Sequence, residues 1–137
     1  MQKIVIDTNV LVSSLIQKSF PYKIVHELFI EDKIILCVSE ALMTEYYHVL
    51  RRPKFSVYYD FALRAEALLA DIEAKSAMYI PVISLNMISD TDDNKILELA
   101  DVCEADYIIT GNTNDFTFPT YKNTQIVNPK NYWLLYQ

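Results

Sequence analysis

Asp7, Glu45 and Asp93, with the polar run from Thr110 to Asn112, are the residues in this chain whose types and positions could do chemistry together. Asp7 ends the β-branched run Lys3–Ile6 and is followed by Thr8, Asn9 and a new apolar stretch. It reads either as a cap on the next helix or as an acid facing a ligand, since open α/β sheets bind ligands beyond the carboxyl ends of their strands. Glu45 falls on the edge of an apolar helical stripe formed by Leu42, Met43, Tyr46 and Leu50, between Ala41 and Val49. It could point into a cleft or be an ordinary flanking residue.

Asp93 closes the acidic run Asp90–Asp93, and acids at a helix N-terminus complement the helix dipole. Its offsets of three, four and seven from Ile96, Leu97 and Ala100 also put it in line with the buried face. A lone ionised carboxylate is costly there without a counter-charge. Three or four oxygen ligands at one cleft suit a hard cation such as Mg²⁺ or Mn²⁺. Such an ion polarises a phosphoryl oxygen and activates water.

Composition removes the main competitors. Gly111 is the only glycine, which excludes a dinucleotide fingerprint, a phosphate-cradling glycine loop and a nucleophile elbow. His26 and His48 lack a cysteine pair at zinc spacing, and no Ser-His or Cys-His arrangement stands out. The net charge of −6 argues against nucleic-acid binding unless bound metal offsets the carboxylates or a basic partner complements the surface. Arg51, Arg52 and Lys54, with Arg64, form a local basic group around Pro53, either a solvated face or the best phosphate-binding candidate in the chain. Cys37 and Cys103 read as buried free thiols, and no membrane span or signal layout is evident, so a cytoplasmic location is expected.

Alternating strands and helices must position these residues. After the first strand, helical patterns cover residues 9–17 and Pro21 to about Ile30, and Ile34–Val38 is a second buried strand. Ser39 caps a helix that runs to about Arg51, where Pro53 ends it. A long helical pattern over residues 57–78 carries Phe61, Leu63, Ala65, Leu68, Leu69, Ile72 and Ala77. Tyr79–Ile83, interrupted by Pro81, is an edge strand or an extended connection. A helix starting near Thr91 or Asp92, strands at Asp106–Thr110 and Gln125–Val127, and a packing segment after Pro129 complete the chain. The expectation is a single α/β domain over residues 1–137 with a mostly parallel sheet.

The segments VIDTNVLVSSL, SEALMTEYYHVLRRPKF, DTDDNKILELADVCEADYIITGN and IVNPKNYW together resemble the PIN-domain family, most closely its toxin-antitoxin branch of VapC-type toxins. The resemblance spans the chain except a weakly matched stretch between about residues 56 and 80. It implies a three-layer α/β/α sandwich and a ribonuclease dependent on Mg²⁺ or Mn²⁺. The family's acids fall on Asp7, Glu45 and Asp93, and Asn9 matches a polar residue that steadies the first acid.

The fourth metal position, often Asp in the family, falls on Asn112, which brings no negative charge, so Asp115 would compensate or three acids would suffice. Thr8, Thr110 and Asn112 would orient ligands or a phosphate, with Asp92 beside the third acid. A homodimer and a small antitoxin partner are expected, with no membrane association. Two other classes stay open: a catalytically weak PIN-like interaction module, and an Asp7-nucleophile phosphotransfer domain. The latter's motif places an acid where this chain has Asn9.

Overall fold

Ile4, Val5 and Ile6 have no solvent exposure, because β1 (Lys3–Ile6) lies inside a sheet with neighbours on both sides. A run apolar at every residue, rather than alternating, is the signature of a parallel strand covered on both faces. In this computed structural model, residues 1–84, 91–111 and 118–137 are described, the side chains of Thr91 and Asp92 excepted. They form a six-stranded sheet in the order β3 (Ala77–Met78), β2 (Ile35–Val38), β1, β4 (Tyr107–Ile109), β6 (Thr124–Val127), β5 (Thr120–Tyr121). The pairs are parallel except β5 with β6, which is antiparallel. Helices flank this sheet, in agreement with the expected α/β sandwich.

The strand order reverses at β1, with β2 on one side and β4 on the other. At such a switch point the connections leave in opposite directions and open a crevice at the carboxyl ends of the strands. Register sets Ile6 opposite Ile109, so the next residues, Asp7 and Thr110, sit side by side at that crevice.

Helix α1 (Thr8–Ile16) follows β1 directly. The expected single helix to Ile30 is instead a short α2 (Phe20–Lys23) that widens into a π-helical turn over Ile24–Phe29, where the Ile30 N–H reaches back to the Val25 carbonyl. Helix α3 (Glu40–Leu50) starts where expected, with the Ser39 hydroxyl accepting from the Leu42 N–H.

The long helix expected over residues 57–78 is shorter at both ends. A 3₁₀ turn over Pro53–Val57 and a left-handed Asp60 (φ 52°) delay the start of α4 to Phe61. It buries Phe61, Ala65, Leu68, Leu69 and Ile72, each worth about 1.5–3 kcal/mol for the larger side chains, while Leu63 is off this face and exposed.

Helix α4 ends at Lys75, and Ala77, expected in it, pairs with Cys37 as the start of edge strand β3. The Tyr79 N–H still donates to the Val38 carbonyl, but Pro81 has no N–H to continue the ladder. Tyr79–Ile83 is therefore an extended connection. Helix α5 (Thr91–Cys103) and helix α6 (Pro129–Tyr136), capped by Asn128, complete the layers. Strand β5 is an addition to the expected elements, two residues long and turned back through a left-handed Lys122.

Candidate functional site

Asp7 is held twice from the end of β4. Its N–H donates to the Ile109 carbonyl at 2.9 Å, and the wholly buried Thr110 hydroxyl donates to Oδ2 at 2.8 Å. Asp7 occupies the residue before α1 in an extended conformation, and its side chain makes no cap hydrogen bond to the helix. Burial raises its pKa above the usual carboxylate value, opposed by the Thr110 hydroxyl, raised again by the charge of Glu45, and opposed by the N–H groups of Thr8 and Asn9.

Glu45 arrives from α3, half-buried, with the Thr8 hydroxyl donating to Oε2 and the Lys95 ammonium 2.6 Å from Oε1. Tyr46, the next residue, is completely buried and donates its hydroxyl to the Ile6 carbonyl at the end of β1. Two consecutive residues of α3 thus bond to the residues on either side of the first acid, Glu45 to Thr8 and Tyr46 to Ile6. Burial and the charges of Asp7 and Glu45 drive the Tyr46 pKa upward, so it remains a neutral donor.

Asp93 lies in the first turn of α5, half-buried, with an interaction of its own, and Ile96, Leu97 and Ala100 are buried in line with it. Asn9 is exposed beside Asp7 and lines a cavity of about 420 Å³ with Gly111 and Pro129. Asn112 and Asp115 lie outside the described residues, as does the side chain of Asp92. Among the described residues, no three Asp, Glu, His or Cys side chains are gathered tightly enough to hold a metal ion. The donor set nevertheless fits a hard cation: two carboxylates that repel one another, one of them buried, with an ammonium already drawn to the second.

Of the basic group, Arg51 makes a bidentate bond to Glu66 at 2.8 and 2.7 Å and lies over the Tyr47 ring, while Lys54 lies over Phe55. Arg52 instead shares a cavity of about 390 Å³ with Ala41, Thr44, Glu45, His48, Val49 and Lys95. A separate acidic cavity, holding Asp101, Asp106 and Lys122, lies at the opposite end of β4. Asp101 there is bonded to Lys122 and Tyr121, and Asp106 accepts from the Lys3 N–H.

Lys95 and Tyr46 were not among the residues singled out from the sequence. Lys95 is two positions beyond Asp93, which helical geometry puts on a different side of α5, and Tyr46 looked like core.

A family model described as PIN domain matches residues 3–114. The chain belongs to the PIN-domain family. The closing segment IVNPKNYW lies beyond the matched region. This PIN domain is 34% identical over 110 residues to the uncharacterized protein MJ1680 of Methanocaldococcus jannaschii, a match covering 80% of this chain and 70% of the relative. Its fold is like that of a chain in the crystal structure of VapBC2 from Rickettsia felis bound to a DNA fragment from their promoter. The TM-score is 0.58 at 14% identity, covering 93% of this chain and 98% of that one. At that identity the likeness is one of fold.

Proposed function

We propose that this PIN domain, over residues 1–137, is an endoribonuclease that hydrolyses RNA phosphodiester bonds with Mg²⁺ or Mn²⁺, the toxin of a toxin-antitoxin pair. The observation that carries it is the buried Asp7, fixed by Thr110 at the switch point with Glu45 beside it. Asp7, Glu45 and Asp93, with Asn112, would hold the ion, which supplies Lewis acidity to a phosphoryl oxygen and an attacking water. Thr8 and Thr110 fix the orientation of Glu45 and Asp7 by donating to one oxygen of each. Asn9, Asp92 and Asp115 are supporting residues. Arg52 is the best placed of the three basic residues to meet an RNA phosphate, because it shares a cavity with Glu45, whereas Arg51 is committed to Glu66.

The fold neighbour was solved as VapBC2 on promoter DNA, which supports a small antitoxin as partner. Exposed Val57, Tyr59 and Leu63 offer apolar surface for that partner or for a homodimer. Buried free thiols suit a reducing cytoplasm. No helix among the described residues is long and apolar enough to cross a membrane.

The test is cleavage of an end-labelled single-stranded RNA with Mn²⁺, expected in the wild type and absent in Asp7→Asn or with EDTA. Wild-type protein that leaves a panel of RNAs intact would reject the proposal. It would favour a catalytically weak interaction module, a reading to which the engagement of both Glu45 oxygens lends weight.

A further inference from the structure

Both carboxylate oxygens of Glu45 are occupied by groups of the chain itself. The Thr8 hydroxyl takes Oε2, and the Lys95 ammonium sits 2.6 Å from Oε1. The ion pair joins α3 to α5, with side chains only 22% and 20% exposed, so water screens it less than a surface pair. It forms one wall of the cavity that also holds His48 and Arg52.

We propose that Lys95 is a built-in counter-cation for Glu45, which a divalent ion must displace before Glu45 can serve as its ligand. This rests on the metal-site reading above. The ammonium lies at hydrogen-bond distance from an oxygen that the ion needs, and its charge repels the ion at close range. Without metal it offsets one of two neighbouring negative charges, which lets Asp7 and Glu45 stand together. On exchange, one positive charge leaves Glu45 and two arrive. The released side chain stays tethered to α5, on the cavity side where Arg52 lies. There it can meet a phosphate instead of a carboxylate. Lys95 therefore sets the cation concentration at which the site loads, and couples loading to a gain of net positive charge in the cavity that Arg52 shares.

The test measures metal binding without RNA. Mn²⁺ is titrated into wild type, Lys95→Gln and Lys95→Met by calorimetry and by the loss of the free Mn²⁺ electron-spin signal, with far-UV circular dichroism as a check on folding. Lys95→Met keeps the apolar stem if Lys95→Gln folds poorly. The expected result is Mn²⁺ affinity about three- to tenfold tighter in the variants, the size of effect for removing a partly screened ion pair from a ligand. Their metal-free melting temperature falls, and the rise on adding Mn²⁺ is larger. Binding only in the variants would be the strongest support. Wild-type binding that is unchanged or weakened by both substitutions overturns the proposal and leaves the metal site standing. No Mn²⁺ binding by any of the three proteins overturns both.

Discussion

Thr110 and Asp7 lie 103 positions apart in the chain, yet the threonine hydroxyl donates to the carboxylate at 2.8 Å with both side chains buried. The bond favours the charged form of an acid whose burial favours the neutral one. Thr110→Val keeps the shape and removes the donor, so the pKa of Asp7 rises further. Protons then compete with Mn²⁺ up to a higher pH. The check is the melting-temperature rise on Mn²⁺ addition as a function of pH: its midpoint is expected to move upward in the variant. An unchanged midpoint would mean that Asp7 is not part of the metal response.

Asp7 itself costs stability when metal is absent. Its folded pKa lies above the unfolded value, so it favours folding most at pH below the unfolded pKa. That contribution is lost as pH rises through the raised folded pKa. In EDTA, Asp7→Asn is therefore expected to melt higher than wild type at pH 7, with the difference shrinking as pH falls through the raised folded pKa and closed below about pH 4, where the unfolded carboxyl is protonated too. Thermal melts across this pH range decide it. A variant that melts lower at pH 7 contradicts the view of Asp7 as a strained acid.

Tyr46 is the support of the strand end that carries Asp7. Tyr46→Phe leaves the ring and removes the donor to the Ile6 carbonyl, at an expected cost of about 1–3 kcal/mol for a buried acceptor left unpaired. In urea titrations the midpoint should fall with an unchanged slope, since the fold is retained. Loss of less than a few tenths of a kcal/mol would show that the Ile6 carbonyl finds another donor.

Arg51 and Arg52 are neighbours in sequence with different surroundings. In an Asp7→Asn background, expected to leave RNA uncut, Arg52→Gln is expected to weaken binding of single-stranded RNA and to lower the salt-dependence slope by about one. Arg51→Gln should leave both nearly unchanged, because its guanidinium is spent on Glu66. Fluorescence anisotropy at several salt concentrations separates them. Equal losses would point to a diffuse basic surface.

The parts of the fold legible in the sequence were those with a local cause. Ile4–Ile6 reads as part of a buried strand from unbroken apolar residues, and Ser39 marks the start of α3 through its side-chain oxygen. Ala77 was misread because alanine suits a helix, whereas its state is set by pairing with Cys37, forty residues away. The π-helical turn at Ile24–Phe29 preserves an apolar helical stripe, so periodicity did not reveal it. In the site, Asp7 was visible from its place after a strand. The approach of Lys95 to Glu45 depends on how α3 and α5 pack, and nothing in the spacing of either helix encodes that.

The sheet order has a consequence for how the protein matures. β1 is made before β4, one of its two strand neighbours, which spans residues 107–109. Loop closure over such a separation is slow, and pairing cannot begin until the later strand exists. A chain still being synthesised thus holds Asp7 without its Thr110 partner until the 103 positions between them have been added, at a synthesis rate of about 5–20 residues per second. The hydrogen bond that fixes Asp7 therefore forms late in synthesis, and until then its carboxylate is open to water and to anything else that binds it.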